Sequence, residues 1–109
     1  ESVETIELYA FRNCSSLAEL VIPETVTSIG YAAFYGCTGL VNVTIPNSVK
    51  VIEKKAFQCC ASLTSVTISD SVSKIGSFAF YGCKNITVTY KGTAYTYEQI
   101  ENLYAAING

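Results

Sequence analysis

Cysteine and the acidic residues are the side chains in this 109-residue chain whose types permit catalysis or metal binding. The chain has five cysteines and no histidine. The absence of histidine removes Ser-His-Asp and Cys-His catalysis, and it leaves no mixed cysteine–histidine metal site. The adjacent pair Cys59–Cys60 is not a C-x-x-C motif. The cysteines therefore give no indication of a catalytic or metal centre.

The acidic residues near the start of the chain are the remaining candidates for acid–base chemistry, which needs two carboxyl groups facing one reacting bond. They are Glu1, Glu4, Glu7, Glu19 and Glu24. Their predicted positions are exposed turns and strand faces, so a solvated acidic patch is the better interpretation. No glycine-rich phosphate loop occurs either. We expect no enzyme, no cofactor and no metal site.

The whole chain is organised by a repeat of 23 residues. Aligned at that shift, column after column holds one residue type, which is the signature of a repeat array. The columns are Leu17/Leu40/Leu63/Ile86, Leu20/Val43/Val66, Ile22/Ile45/Ile68, Val3/Val26/Val49/Val72, Ile6/Ile29/Ile52/Ile75, the Ala-Phe pairs at 10–11, 33–34, 56–57 and 79–80, and Cys14/Cys37/Cys60/Cys83.

One coil of the repeat, residues 63–83, shows the local structure that its spacing predicts. In Leu63-x-x-Val66-x-Ile68 the last two apolar residues alternate with polar ones, as in a short strand with one buried face. Val72-x-x-Ile75 predicts a second extended or irregular segment. Ala79-Phe80-x-x-Cys83 predicts a single helical turn with Phe80 and Cys83 on one side. A single coil cannot bury its apolar face, so stability must come from contacts between stacked coils.

The cysteine column predicts a ladder of buried thiols along the array, since free cysteine behaves as a small apolar side chain. Successive coils bring the cysteines within disulfide reach, but parallel Cα–Cβ vectors hinder the torsion that a disulfide needs. Disulfide bridges and a metal site remain the alternatives.

The position before each ladder cysteine holds Asn13, Gly36, Cys59 and Gly82. Glycine and asparagine tolerate a positive φ, so we expect a left-handed residue there in every coil. Cys59 would then be strained.

Composition limits the class of protein. Half of the residues are hydrophobic, 15% are charged, and the net charge is −2 with a pI near 5.0. No basic stripe predicts nucleic-acid binding, and no apolar run is long enough for a membrane span. No signal peptide opens the chain, whose first residue already falls within a repeat. We therefore expect a fragment of a longer array, or a mature or engineered chain.

The two ends of the array differ. Residues 86–90 begin a fourth strand with Val88 and Tyr90 in the inward positions, one residue short of the 23-residue register. After a turn, Thr96 and Gln99 match a capping box, and 97–107 is predicted as an amphipathic helix that covers the last coil. We predict one domain, with the array at 1–90 and a turn and capping helix at 91–109. The open N-terminal edge is expected to pair with further repeats or another chain.

The pattern Leu-x-x-Val-x-Ile-Pro-x-x-Val-x-x-Ile-Gly-x-x-Ala-Phe-x-x-Cys resembles the leucine-rich repeats of BspA-like surface proteins. The departures from this pattern are few. Ser69 replaces the proline, Glu53 replaces the glycine after Ile52, and Cys59 replaces the glycine or asparagine before the ladder cysteine. The resemblance implies an α/β right-handed leucine-rich-repeat solenoid of about four 23-residue coils, with a parallel concave sheet, short convex turns or one-turn helices and a C-terminal capping helix. It also implies an extracellular or cell-surface location and adhesion to host proteins, and it supplies no catalytic residues.

A binding surface is the best functional candidate. The strand residues predicted to point away from the core on the concave face are Glu19, Val21, Asn42, Thr44, Ser65 and Thr67. Repeat arrays recognise partners through such faces, and the expected partner is a protein, such as a host matrix or cell-surface protein. A second candidate is the column Arg12, Tyr35, Gln58 and Tyr81 on the opposite side, because tyrosine and arginine favour interfaces. The alternative functions are a passive spacer or targeting arm of a larger secreted protein, and an enzyme.

Overall fold

Each full coil contributes one short strand to each of two sheets, and strands of successive coils pair in parallel, in a computed structural model that describes residues 5–109. The four-stranded sheet consists, in spatial order, of β1 (Thr5–Ile6), β3 (Ser28–Ile29), β5 (Val51–Ile52) and β7 (Lys74–Ile75). The five-stranded sheet consists, in spatial order, of β2 (Glu19–Val21), β4 (Asn42–Ile45), β6 (Ser65–Ile68), β8 (Thr87–Tyr90) and β9 (Thr93–Thr96).

The register of the five-stranded sheet follows the repeat. Val43 pairs with Val66, which pairs with Val88, so like residues stack on like. The step from β6 to β8 is one residue shorter than 23, since Ser65 pairs with Thr87. Tyr90 consequently takes the place of an isoleucine beside Ile68. The predicted loss of one residue from the register is confirmed.

The core lies between the two sheets and the turns that join them. The side chains of β4, β6 and β8 alternate between exposed and buried, as the period of two requires. Phe34, Phe57 and Phe80 are fully buried and stack on one another, with ring centroids 5.1 and 5.5 Å apart. Phe11 continues the stack at 5.2 Å from Phe34 but remains 40% exposed at the first coil.

The Ala-Phe segments are short turns, which is the first of the two forms expected for this side of the coils, and not one-turn helices. In the third full coil the Tyr81 N–H donates to the Phe78 carbonyl, and the Cys83 N–H donates to the Phe80 carbonyl, both at 3.1 Å. Phe78 and Gly82 have φ of 62° and 85°. Because a left-handed residue interrupts the right-handed helical path, the segment forms separate turns.

Left-handed residues recur at two columns of each coil. Asn13, Gly36, Cys59 and Gly82 all have positive φ, which confirms the sequence prediction. A second column was not predicted: its members are Tyr9, Ala32, Lys55 and Phe78, with φ between 52° and 62°. Each turn segment therefore contains two left-handed residues that are four positions apart.

The C-terminal segment closes the array. Strand β9 returns antiparallel to β8, and a 3-10 turn at Tyr97–Gln99 leads into helix α1 (Ile100–Asn108). The Gln99 side-chain oxygen accepts the Thr96 backbone N–H at 3.0 Å, as the capping-box prediction requires. Ile100, Leu103 and Ile107 are buried against the last coil. The helix predicted at 97–107 is confirmed, with its first three residues in the 3-10 turn.

The solenoid of about four coils, each of about 23 residues with parallel strands, is confirmed together with its C-terminal helix. The residues Glu1, Val3 and Glu4, which were assigned to an acidic patch and to a core column, lie outside the described residues.

Candidate interaction surfaces

The strand face, defined as Glu19, Val21, Asn42, Thr44, Ser65 and Thr67, forms two parallel rows on one side of the five-stranded sheet. Glu19 pairs with Asn42, and Asn42 pairs with Ser65. In the second row Val21 pairs with Thr44, and Thr44 pairs with Thr67. All six side chains are exposed, and Val21 is 86% exposed. The alternation in each strand sends them away from the core.

The same rows extend beyond the six predicted residues. Thr87 lies beside Ser65, and Thr89 lies beside Thr67. On the far side of β8, the antiparallel strand β9 adds Thr96 and Ala94 to these rows. Val88 and Tyr90 were predicted to point inward, and the same alternation places Thr87 and Thr89 outward. These two outward residues were not included in the predicted strand face.

The chemistry of the strand face is that of hydroxyl and amide groups with a single carboxylate and one apolar side chain. Such groups donate and accept hydrogen bonds but do not form a catalytic constellation. The face has no tyrosine, tryptophan or arginine among its six residues, and these are the residue types that dominate binding energy at protein interfaces. Any recognition through it therefore depends on many modest contacts.

A second surface, on the turn side of the coils, is richer in large side chains. Here a groove of about 240 Å³, called the tyrosine groove below, has six lining residues: Tyr9, Arg12, Tyr31, Ala32, Tyr35 and Lys55. Of the predicted column Arg12/Tyr35/Gln58/Tyr81, only Arg12 and Tyr35 line it. Tyr81 belongs to a separate depression beside Phe78 and α1, and Tyr81 is 53% exposed.

Ring and cation contacts connect the side chains of the tyrosine groove. The Tyr9 and Tyr31 rings meet edge to face at 5.7 Å between centroids. The Arg12 guanidinium lies 5.2 Å from the centroid of Tyr9, and the Lys55 ammonium lies 5.9 Å from that of Tyr31. Sequence analysis missed Tyr9, Tyr31 and Lys55. Tyr9 and Lys55 both have a positive φ, which their residue types do not indicate.

The cysteine ladder is structural rather than reactive. Cys37, Cys60 and Cys83 are free, buried thiols whose Sγ atoms donate to the carbonyls of phenylalanines in the preceding coil at 3.0 to 3.1 Å. Burial raises the pKa of the Cys37 thiol. The contact with the Cys83 side chain, together with burial, raises the pKa of Cys60. A protonated thiol is a poor nucleophile and metal ligand. Within residues 5–109, no cluster of cysteine and acidic side chains is arranged to hold a metal ion.

The N-terminal end of the described array exposes apolar side chains. Leu8 is 58% exposed and Phe11 is 40% exposed, whereas the equivalent phenylalanines of later coils are fully buried. In the described part of the chain, no helix has the length and apolarity needed to cross a membrane.

The fold is a leucine-rich-repeat solenoid, because its coils stack with parallel strands and an aligned phenylalanine column. The sequence profile of the BspA-type leucine-rich repeat region matches residues 1–103 in six copies. The chain belongs to this family, whose repeats are generally protein-interaction modules without catalytic activity.

Three solved structures are similar to this chain. A leucine-rich repeat protein from Bacteroides ovatus is 40% identical with a TM-score of 0.72, over 74% of this chain and 21% of that protein. A leucine-rich repeat protein from T. pallidum is 32% identical with a TM-score of 0.54, over 79% of this chain and 51% of that protein. A leucine-rich cell surface protein from Faecalibacterium prausnitzii is 28% identical with a TM-score of 0.64, over 91% of this chain and 32% of that protein.

The chain spans about a fifth to a half of the length of these proteins. No curated protein sequence is significantly similar to it.

Proposed function

We propose that this chain is a non-catalytic module of a cell-surface protein that binds another protein through the strand face. The family supports the interaction role, because its repeats are protein-interaction modules. The similarity to a cell surface protein of F. prausnitzii supports a surface location. Adhesion to a host matrix or cell-surface protein is the form of interaction that we propose.

The observation that carries the proposal is the alignment of the six residues in two exposed rows. The rows run across β2, β4 and β6 without a break, because paired residues stand directly beside one another. A partner that lies across the strands would meet equivalent groups one strand spacing apart, about 4.8 Å. Hydroxyls at Thr44, Ser65 and Thr67 would hydrogen-bond to it at regular intervals.

The test is a binding assay with purified host matrix and cell-surface proteins. Thr44→Lys and Thr67→Lys, made separately, place a long charged side chain in the middle of the face. Separate variants avoid two like charges at directly paired positions, which would destabilise the sheet. The matched controls are Thr38→Lys and Ser62→Lys, at exposed turn positions with the same change of charge.

We expect each strand-face variant to weaken binding at least tenfold, while the controls bind as the unaltered protein does. Circular dichroism checks that all four variants fold. Binding that survives both strand-face substitutions would exclude this face as the site. Failure of the unaltered protein to bind any protein in the set would favour the second candidate, a spacer within a larger secreted protein. The small polar groups of the face favour that candidate, since a solvated sheet surface needs the same residues.

A further inference from the structure

The tyrosine groove exists because one column of the repeat changes size along the array. The column Tyr9, Ala32, Lys55 holds a large aromatic, then a methyl group, then a long cationic side chain. Ala32 is almost fully buried at the floor, while Tyr9 and Lys55 rise on either side of it. Tyr31 and Tyr35 complete the walls. The tyrosine groove is therefore specific to these coils and is not a feature of every coil.

The charges in the groove are all of one sign. None of the six lining residues is acidic, and Arg12 and Lys55 form no ion pair with any carboxylate of residues 5–109. Both cations instead lie against tyrosine rings, in a chain whose net charge is −2. A cation held over an aromatic ring keeps its outward side free to receive an anion. The groove is thus a local positive site that is complementary to carboxylates.

The spacing of the two cations limits the shape of the ligand. Arg12 belongs to the first coil and Lys55 to the third, so the backbones that carry them are two coil spacings apart along the array, roughly 10 Å at the usual distance between strands. A polyproline II segment brings every third residue to the same side, with a rise of about 9 Å per three residues. Acidic residues at positions i and i+3 of such a segment would match the two cations. Aromatic-lined grooves also accept the apolar residues between them.

We propose that the tyrosine groove binds an extended acidic segment of a partner protein, in which two carboxylates three residues apart contact Arg12 and Lys55. The intervening apolar residues pack on the Tyr9 and Tyr31 rings. This site lies on the turn side of the coils and is independent of the strand face. The two proposals can therefore fail separately.

The probe is a fluorescein-labelled peptide with four Glu-Pro-Pro repeats, which presents a glutamate at every third position in a polyproline II conformation. Binding is followed by fluorescence anisotropy at low and at physiological ionic strength. The variant Arg12→Gln/Lys55→Gln removes both charges and keeps long polar side chains. The control Lys50→Gln/Lys74→Gln removes two exposed cations elsewhere on the array. The peptide control replaces each glutamate with glutamine.

We expect saturable binding of the glutamate peptide, with affinity that falls at higher salt and falls about tenfold in Arg12→Gln/Lys55→Gln. The Lys50→Gln/Lys74→Gln protein should bind as the unaltered protein does, and the glutamine peptide should bind at least tenfold more weakly.

The proposal is overturned if the glutamate peptide does not bind, if the glutamine peptide binds equally well, or if both charge variants lose affinity equally. A parallel titration with a polyuronate oligosaccharide tests the other class of acidic ligand. Binding of the oligosaccharide without binding of the peptide would also overturn it.

Discussion

The Tyr104 hydroxyl accepts a hydrogen bond from the Phe80 backbone N–H at 2.9 Å. In earlier coils the equivalent N–H groups of Phe34 and Phe57 donate to the carbonyls of Ala56 and Ala79, each at 2.8 Å. A tyrosine side chain on α1 thus occupies the position that a carbonyl of the next coil occupies within the array. The backbone donor stays satisfied although the hydrogen-bond partner has changed from main chain to side chain.

Two further side chains act in the same way. The Tyr97 hydroxyl accepts the Gly82 N–H at 3.0 Å, whereas the equivalent N–H one coil earlier, that of Cys59, donates to the Tyr81 carbonyl at 2.7 Å. The Asn108 amide accepts the Ile75 N–H at 2.8 Å and donates to the Ile75 carbonyl at 3.0 Å. The C-terminal segment therefore closes the array by matching its open hydrogen-bonding groups as well as by covering its apolar side chains.

Replacement of Tyr104 by phenylalanine should destabilise the protein by about 1 to 3 kcal/mol, since the Phe80 N–H would be left without an acceptor in a partly buried site. The phenylalanine ring would still pack as the tyrosine ring does, so the loss of stability measures the contribution of the hydroxyl group alone. Urea unfolding followed by circular dichroism measures it. Tyr81→Phe is the control, because Tyr81 is half exposed and should change stability by less than about 0.5 kcal/mol. Equal stability of the two variants would contradict the capping role of the hydroxyl.

The free energy of unfolding should also fall in alkaline solution, because the hydroxyl group of Tyr104 ionises more readily in the unfolded chain. Burial raises the pKa of Tyr104 from 10.0 to about 12. Between these two values the unfolded chain loses the proton while the folded chain retains it, so rising pH favours unfolding. The loss is at most about 2 to 3 kcal/mol, and it is negligible below about pH 9.

The comparison with Tyr104→Phe separates this effect from the titration of other groups. We expect the stability advantage of the unaltered protein over Tyr104→Phe to shrink between pH 9 and about pH 11.5, as measured by urea unfolding at each pH. An advantage that stays constant across that range would show that Tyr104 titrates normally in the folded state.

Cys59→Gly should stabilise the protein. Cys59 has a φ of 64°, a conformation that costs an L residue about 1 to 2 kcal/mol. Glycine removes that strain but loses more backbone entropy on folding, about 0.5 to 1 kcal/mol. The net gain should be of the order of 0.5 to 1 kcal/mol, seen as a higher midpoint of thermal unfolding. Cys59→Ala is the control: it retains Cβ and should show no gain. Lower stability of the glycine variant would mean that the Cys59 side chain contributes more through packing than its backbone costs.

The repeat columns allowed most of the fold to be predicted, because one residue type recurring every 23 positions requires that equivalent residues share an environment. Val43, Val66 and Val88 are buried in register for that reason. The four-stranded sheet was harder to predict. Strands such as Ser28–Ile29 and Val51–Ile52 have two residues each, too few for an alternating pattern to be visible.

The turn side could not be predicted for a different reason. Glycine at positions 36 and 82 signals a left-handed column, but Tyr9, Ala32 and Lys55 are residues that rarely adopt a positive φ. Their conformation is imposed by hydrogen bonds between coils, such as those of the Tyr9 N–H with the Tyr31 carbonyl and the Ala32 N–H with the Lys54 carbonyl, each 3.0 Å. The tyrosine groove depends on these contacts, so its residues were not grouped by sequence alone.

The five thiols should separate into two classes of reactivity. Cys14 and Cys59 are partly exposed, whereas Cys37, Cys60 and Cys83 are buried. Because an aryl disulfide reagent must reach the sulfur atom, and the sulfurs of Cys37, Cys60 and Cys83 are fully buried, only Cys14 and Cys59 should react rapidly in the folded protein at pH 8. The raised pKa values of Cys37 and Cys60 slow those two thiols further. All five should react in denaturant. Cys59→Ala should reduce the rapid phase by one thiol, and Cys60→Ala should leave it unchanged. Rapid reaction of more than two thiols in the folded protein would show that the ladder opens readily, which would contradict the full burial of Cys37, Cys60 and Cys83.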